Sequence, residues 1–107
     1  MKSLKFRKEL SNLVLEGNKN STWRLFDDKD IQAGDDLELI VWETQQPFAK
    51  AIITKVVEKP LGKVTDEDKK GHEVFESEQD MYNTYSTYYN HVVGPKTIIK
   101  IIWFKLL

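Results

Sequence analysis

At 107 residues, 40% apolar and 31% charged, the chain can bury one hydrophobic core and lacks the composition of a disordered segment, so one domain over residues 1–107 is expected. It has no cysteine, which excludes disulfides and thiolate metal centres, and its net charge of −1 argues against sequence-blind coating of long nucleic acid. No signal-peptide core and no apolar run of membrane-spanning length is present, so a soluble cytoplasmic protein is expected.

In chain order, SLKFRKEL opens with an alternation of a half-buried strand, Leu4 and Phe6 on one side, Lys5 and Arg7 on the other. KELSNLVLEGNK then places Leu10, Leu13 and Val14 at helical spacing, with Gly17 suited to the helix C-cap. STWRLF reads as a strand, and DDKD with AGDD as turns around at most one helical turn. DLELIVWE alternates cleanly, with Leu37, Leu39 and Val41 on one face, and the β-branched FAKAIITKVVEK reads as a strand up to Pro60.

Thr65 is placed to cap a short helix that has Asp66, Glu67 and Asp68 in its first turn. Ser77 with Asp80 forms a loose capping box before EQDMYNTYSTYYN, and Gly94–Pro95 closes that segment. TIIKIIWFKLL is apolar on both faces, as a strand buried from both sides would be. Strands outnumber helices and follow one another directly, so the class is α+β: a curled mixed sheet or small barrel with helices at its rim.

Charge is unevenly spread. Residues 1–24 carry six basic groups against two acidic, and residues 25–38 six acidic against one basic. A local basic face able to take one nucleotide or a short strand therefore survives the near-neutral total. Within it lies EGNKNSTWR. Period two puts Thr22 and Arg24 on the same face of a strand, and Lys19 joins them only if it still lies in the loop that Gly17 opens. The three are read either as a solvated turn or as an ammonium, a hydroxyl and an anion clamp facing one cleft.

Other candidates read plainly. GHEVFE resembles a truncated zinc-protease motif, with Glu76 where a second His ligand would stand, so no metal is expected. Met81 and the tyrosines 82, 85, 88 and 89 form an aromatic stripe, read as core or as the stacking wall of a cleft. Trp23, Trp42 and Trp103 read as packing residues.

The sequence resembles the ASCH family, a branch of the PUA-like folds associated with RNA and modified nucleosides. Its leading G-x-K-x-x-[TS]-x-R block stands intact as Gly17-Asn18-Lys19-Asn20-Ser21-Thr22-Trp23-Arg24. Gly34-Asp35 supplies the family's G-D step, Glu73-Val74-Phe75-Glu76-Ser77 resembles its E-G-F block with Val74 for the Gly, and the chain ends on the apolar WFKLL.

The resemblance implies a PUA-like mixed β-barrel of five to six strands with two or three helices at the rim and a cleft beside the G-x-K block. Among very small members similar to acetylcytidine amidohydrolases, it implies Lys19, Thr22 and Glu73 as catalytic residues. It further implies Arg24, Ser21 and Tyr85 as substrate or phosphate contacts, and no cofactor. The expected ligand is a modified nucleoside or a short single-stranded RNA, either deacetylated or bound without chemistry. In the hydrolytic version Thr22 attacks, while Lys19 and Glu73 divide proton transfer and oxyanion support between them. A basic Lys19 would need its pKa lowered by burial and by Arg24, against which an ionised Glu73 works.

Overall fold

The computed structural model describes residues 2–25, 30–70 and 75–107. Elements run β1 (Lys2–Phe6), α1 (Lys8–Leu15), β2 (Ser21–Leu25), β3 (Asp36–Val41), β4 (Pro47–Pro60), a 3-10 turn (Leu61–Lys63), α2 (Asp66–Lys69), α3 (Glu78–Tyr89) and β5 (Ile98–Leu106). The strands form one sheet in the order β1-β3-β4-β5-β2. The β1–β3 pair is parallel and the other three pairs are antiparallel. Register shifts between Leu39 and Ile40 in β3 and between Ile53 and Lys55 in β4 sharpen the local twist. The sheet curls into a half-barrel whose two edge strands are β1 and β2.

Each face of the sheet buries its own apolar cluster. Leu4, Phe6, Val14, Leu37, Leu39, Ile53, Ile102 and Phe104 pack on one side, bringing α1 against the sheet. Trp23, Leu25, Leu61, Met81, Tyr82, Tyr85, Ile99 and Ile101 pack on the other, under α3. Strand β5 feeds both, as its two-faced apolar sequence predicts: Ile99 and Ile101 enter one cluster, Ile102 and Phe104 the other. Because side chains alternate, Trp23 and Leu25 of β2 point to the α3 side, which leaves Thr22 and Arg24 for the opposite face.

Two local devices matter for the site. Helix α1 closes on a Schellman motif: the Gly17 N–H donates to Val14 O (3.1 Å) and the Asn18 N–H to Leu13 O (2.9 Å). Gly17 takes φ +82°, a left-handed conformation that costs glycine little. The start of α1 has no cap from its own N-cap residue, Arg7. Instead Glu43, in the β3–β4 turn, accepts from the Lys8 N–H with both carboxylate oxygens (3.0 and 3.2 Å). Further along, Thr65 and Asp68 form a reciprocal capping box on α2, and the Ser77 hydroxyl accepts from the Asp80 N–H (3.0 Å) at the start of α3. Helix α3 is capped by Asn90 at φ +49°, where EQDMYNTYSTYYN ends, and Gly94–Pro95 follows in the turn before β5.

Candidate functional site

Strands β1 and β2 are not hydrogen-bond neighbours, yet they face each other across the open side of the curl. Arg24 spans this seam. Its Nη2 donates to the Lys5 carbonyl of β1 (2.9 Å), and its guanidinium carbon lies 5.0 Å from the Phe6 ring centroid. On the other side of β2, the Leu25 N–H donates to the Tyr89 hydroxyl (3.1 Å), tying the end of α3 to the strand.

Between these ties lies a cavity of about 440 Å³. Strand β2 and the preceding loop contribute Lys19, Thr22, Trp23 and Arg24. The end of β1 contributes Lys5 and Phe6, with Arg7 just beyond it, and α3 contributes Tyr85, Tyr88 and Tyr89. Trp42, from the β3–β4 turn, completes the mouth.

The G-x-K block therefore reaches one cavity through two rules. Thr22 and Arg24 share a strand face by alternation. Lys19 escapes that alternation because β2 begins at Ser21, so the Schellman turn, not the pleat, aims it. Lys19 and Thr22 are buried, 2% and 5% exposed, while Arg24 is half-buried. Tyr85 is buried too; its ring stacks on Trp23 (6.3 Å between centroids, 23° between planes) and on Tyr89 (6.3 Å, 30°).

Ser21, expected as a ligand contact, is instead fully buried on the α3-side face of β2 and is not among the residues that line the cavity. Glu73, with His72 and Val74 of the second block, lies outside the described residues. Of the aromatic stripe, Met81, Tyr82 and Tyr85 are core, and Tyr88 is exposed at the mouth.

Lys5, Arg7 and Trp42 are among the lining residues that were not anticipated as site residues. Lys5 and Arg7 read as the solvent side of a strand. Trp42 read as packing and is in fact 46% exposed. The Lys5 ammonium and the Arg7 guanidinium both lie over its ring, at 5.3 and 5.2 Å.

Among the described residues, the charged groups that line the cavity are all cationic. Lys5, Arg7, Lys19 and Arg24 line it, and no carboxylate among the described residues does. Positive charge in a partly dry, concave site attracts an anion more strongly than the same charge spread over a surface. The aromatic walls supply flat apolar area for a planar group. Among the described residues no group of three or more His, Asp or Glu side chains is placed to hold a metal ion. No helix among them is long and apolar enough to cross a membrane.

A five-stranded mixed half-barrel with helices at its rim and a cleft beside the first helix–strand connection defines a PUA-like α+β protein. Its solved structural neighbours agree. A protein from Enterococcus faecalis superposes with a TM-score of 0.76 at 18% identity, covering 92% of this chain and 70% of its own. An ASCH domain from Lactobacillus crispatus gives 0.69 at 15%, covering 90% and 69%. ASCH from Zymomonas mobilis gives 0.70 at 10%, covering 96% and 65%. No curated protein is significantly similar in sequence. The model of the ASCH domain matches residues 2–106, and the chain belongs to the ASCH domain family.

Proposed function

We propose that the seam cavity binds one nucleobase-bearing, anionic unit: a modified nucleotide, or one residue of a short single-stranded RNA. The observation that carries this reading is the convergence of Lys19, Thr22, Arg24 and Tyr85 on one cavity that also holds Lys5 and Arg7 and no described carboxylate. Its volume, about 440 Å³, falls in the range of small-ligand sites. Aromatic walls suit a base, whose flat faces stack on Tyr and Trp rings. The planar fork of Arg24 suits a phosphate or a base carbonyl.

The test is equilibrium binding of cytidine and of cytidine monophosphate at low and moderate salt. The nucleotide should bind more tightly than the nucleoside, and its advantage should shrink as salt rises. Lys19→Ala should lower the affinity for both. Failure of both ligands to bind at millimolar concentration overturns the reading.

A second, hydrolytic reading of the same cavity is favoured by one observation: a buried ammonium, Lys19, and a buried hydroxyl, Thr22, line it together. On an acylated exocyclic amine such as that of acetylcytidine, the Thr22 oxygen adds to the acyl carbonyl and its proton passes to a base. The C–N bond then breaks, the amine leaves with a proton, and water cleaves the resulting ester to release acetate. Lys19 and Glu73 would share the proton transfers and the support of the oxyanion. Incubation with acetylcytidine should release cytidine, and Thr22→Ala should abolish release; absence of release from the wild type rules this reading out and leaves the binding reading intact.

A further inference from the structure

The mouth of the cavity is built differently from its floor. Trp42 and Tyr88 are 46% and 52% exposed, so both rings leave flat area open to solvent at the mouth. Between them stands Arg7, its guanidinium carbon 5.2 Å from the Trp42 ring and 5.8 Å from the Tyr88 ring. Lys5 adds a second cation over Trp42.

Although its ring is exposed, Trp42 is held firmly. Its backbone N–H donates to Phe6 O (2.8 Å), and its carbonyl accepts from Gln45 Nε2 (2.6 Å). The next residue, Glu43, clamps the first turn of α1. The turn that carries Trp42 is thereby fixed to β1 and α1, beside Arg7. Tyr88 is steadied in the same way, since its neighbour Tyr89 is bonded to β2. The rim therefore presents preformed stacking faces interleaved with cations, and little ordering cost remains to be met on binding.

We propose that this rim is a second subsite, in which Trp42 and Tyr88 stack on the base next to the one in the cavity, while Arg7 and Lys5 hold the phosphate that joins the two. The ligand is accordingly a single-stranded oligonucleotide of at least two residues, threaded out of the mouth, and not a free mononucleotide. Charge complementarity selects this occupant: the patch is aromatic and cationic, no carboxylate among the described residues lines the cavity, Glu43 next to Trp42 is engaged with the Lys8 N–H, and such surfaces recognise unpaired strands. An apolar protein partner would instead leave Lys5 and Arg7 desolvated without a counter-charge.

The inference rests on the cavity binding a nucleotide, and one titration series separates the two ideas. Cytidine monophosphate and a ribo-trinucleotide of cytidine are titrated against the full chain and against Trp42→Ala and Tyr88→Ala. The trinucleotide should bind the wild type more tightly than the mononucleotide. Each variant should cut the trinucleotide's advantage by about 5- to 150-fold, the factor corresponding to 1–3 kcal/mol of base–ring stacking. Trp42→Phe, which keeps a stacking face, should restore most of it. The tryptophan fluorescence of the wild type should also quench more with the trinucleotide than with the mononucleotide.

Mononucleotide binding with no gain for the trinucleotide, or a gain that survives both alanine variants, overturns the rim proposal and spares the cavity. Absence of binding by both ligands overturns both ideas. A deoxy-trinucleotide bound as tightly as the ribo form would keep the rim and assign it to single-stranded nucleic acid in general, because stacking and phosphate contacts do not sense the 2′-hydroxyl.

Discussion

Arg24→Met tests the seam most directly, because one side chain is held to do two jobs there. Methionine keeps much of the stem and its contact with Phe6 but removes the guanidinium. The lost Nη2 bond to Lys5 O (2.9 Å) is a charged donor at a solvent-accessible site, worth about 1.5 kcal/mol at the low end of its class. The lost cation–ring contact at 5.0 Å adds about 0.5–1 kcal/mol. Together these are about 2 kcal/mol, which for a chain near 100 residues corresponds to a fall in melting temperature of roughly 10 °C. Binding should change separately, and the preference for cytidine monophosphate over cytidine should drop about 10-fold or more, as expected for one charge-assisted phosphate contact. Differential scanning calorimetry reads the first effect and isothermal titration of both ligands the second. A variant that melts as the wild type does would refute the seam closure. One that is destabilised yet keeps the full phosphate preference would refute Arg24 as the anion clamp.

Away from the cavity, Asp68→Asn should cost about 2 kcal/mol at pH 7 by removing the carboxylate that accepts from Lys59 Nζ (2.5 Å) and from the Thr65 N–H (2.9 Å). Burial alone would raise the Asp68 pKa, but the Lys59 ammonium and the Thr65 donors outweigh it and hold the carboxyl below 3.8. A depressed folded-state pKa contributes stability above the unfolded value and loses it as pH falls through the folded one. The gap between wild type and variant in urea denaturation should accordingly narrow below about pH 4, and a constant gap from pH 7 to pH 2.5 would contradict it. Gly62→Ala should also destabilise, because the new Cβ would lie 2.7 Å from the Pro95 Cβ and 3.1 Å from the Pro95 carbonyl oxygen. Overpacking of this kind costs about 1–3 kcal/mol, and an unchanged denaturation midpoint would show that the 94–97 turn yields freely.

Much of this architecture is written in local pattern. Alternation marks β1 and β3, a run apolar on both faces marks β5, and Gly17 announces the end of α1 because a left-handed residue completes the turn there. The same glycine explains why Lys19 falls beside Thr22 and Arg24 despite its odd spacing. What local pattern omits is which strands end up facing each other. Lys5 and Arg7 look solvated along their own strand and become cavity walls only because β1 and β2 are the two edges of one curled sheet. Trp42 was misread for a related reason: a tryptophan after an apolar strand is usually core, and its exposure here follows from the turn being pinned to α1 through Glu43. The end of α3 falls where EQDMYNTYSTYYN ends, with Asn90 at φ +49° as its cap.

The position of the cavity follows from how this fold treats its sheet edges. An edge strand exposes unpaired backbone groups and invites pairing with other chains. Closing β1 onto β2 would remove both edges, but the space between them would then be filled by backbone. Here side chains satisfy edge groups instead: Arg24 takes the Lys5 carbonyl, and the Tyr89 hydroxyl takes the Leu25 N–H. A side chain reaches farther than a ladder bond, so a gap of about 440 Å³ persists between the strands. Its walls include Arg24, which bridges the two strands, and Tyr89, which ties α3 to β2, and they are mostly cationic or aromatic. The chemistry that lets the sheet stay open is therefore the chemistry offered to a ligand. A base and a phosphate placed in the seam would complete the closure that the strands leave unfinished, so binding should stiffen the β1 and β2 edges more than the β4–β5 centre of the sheet.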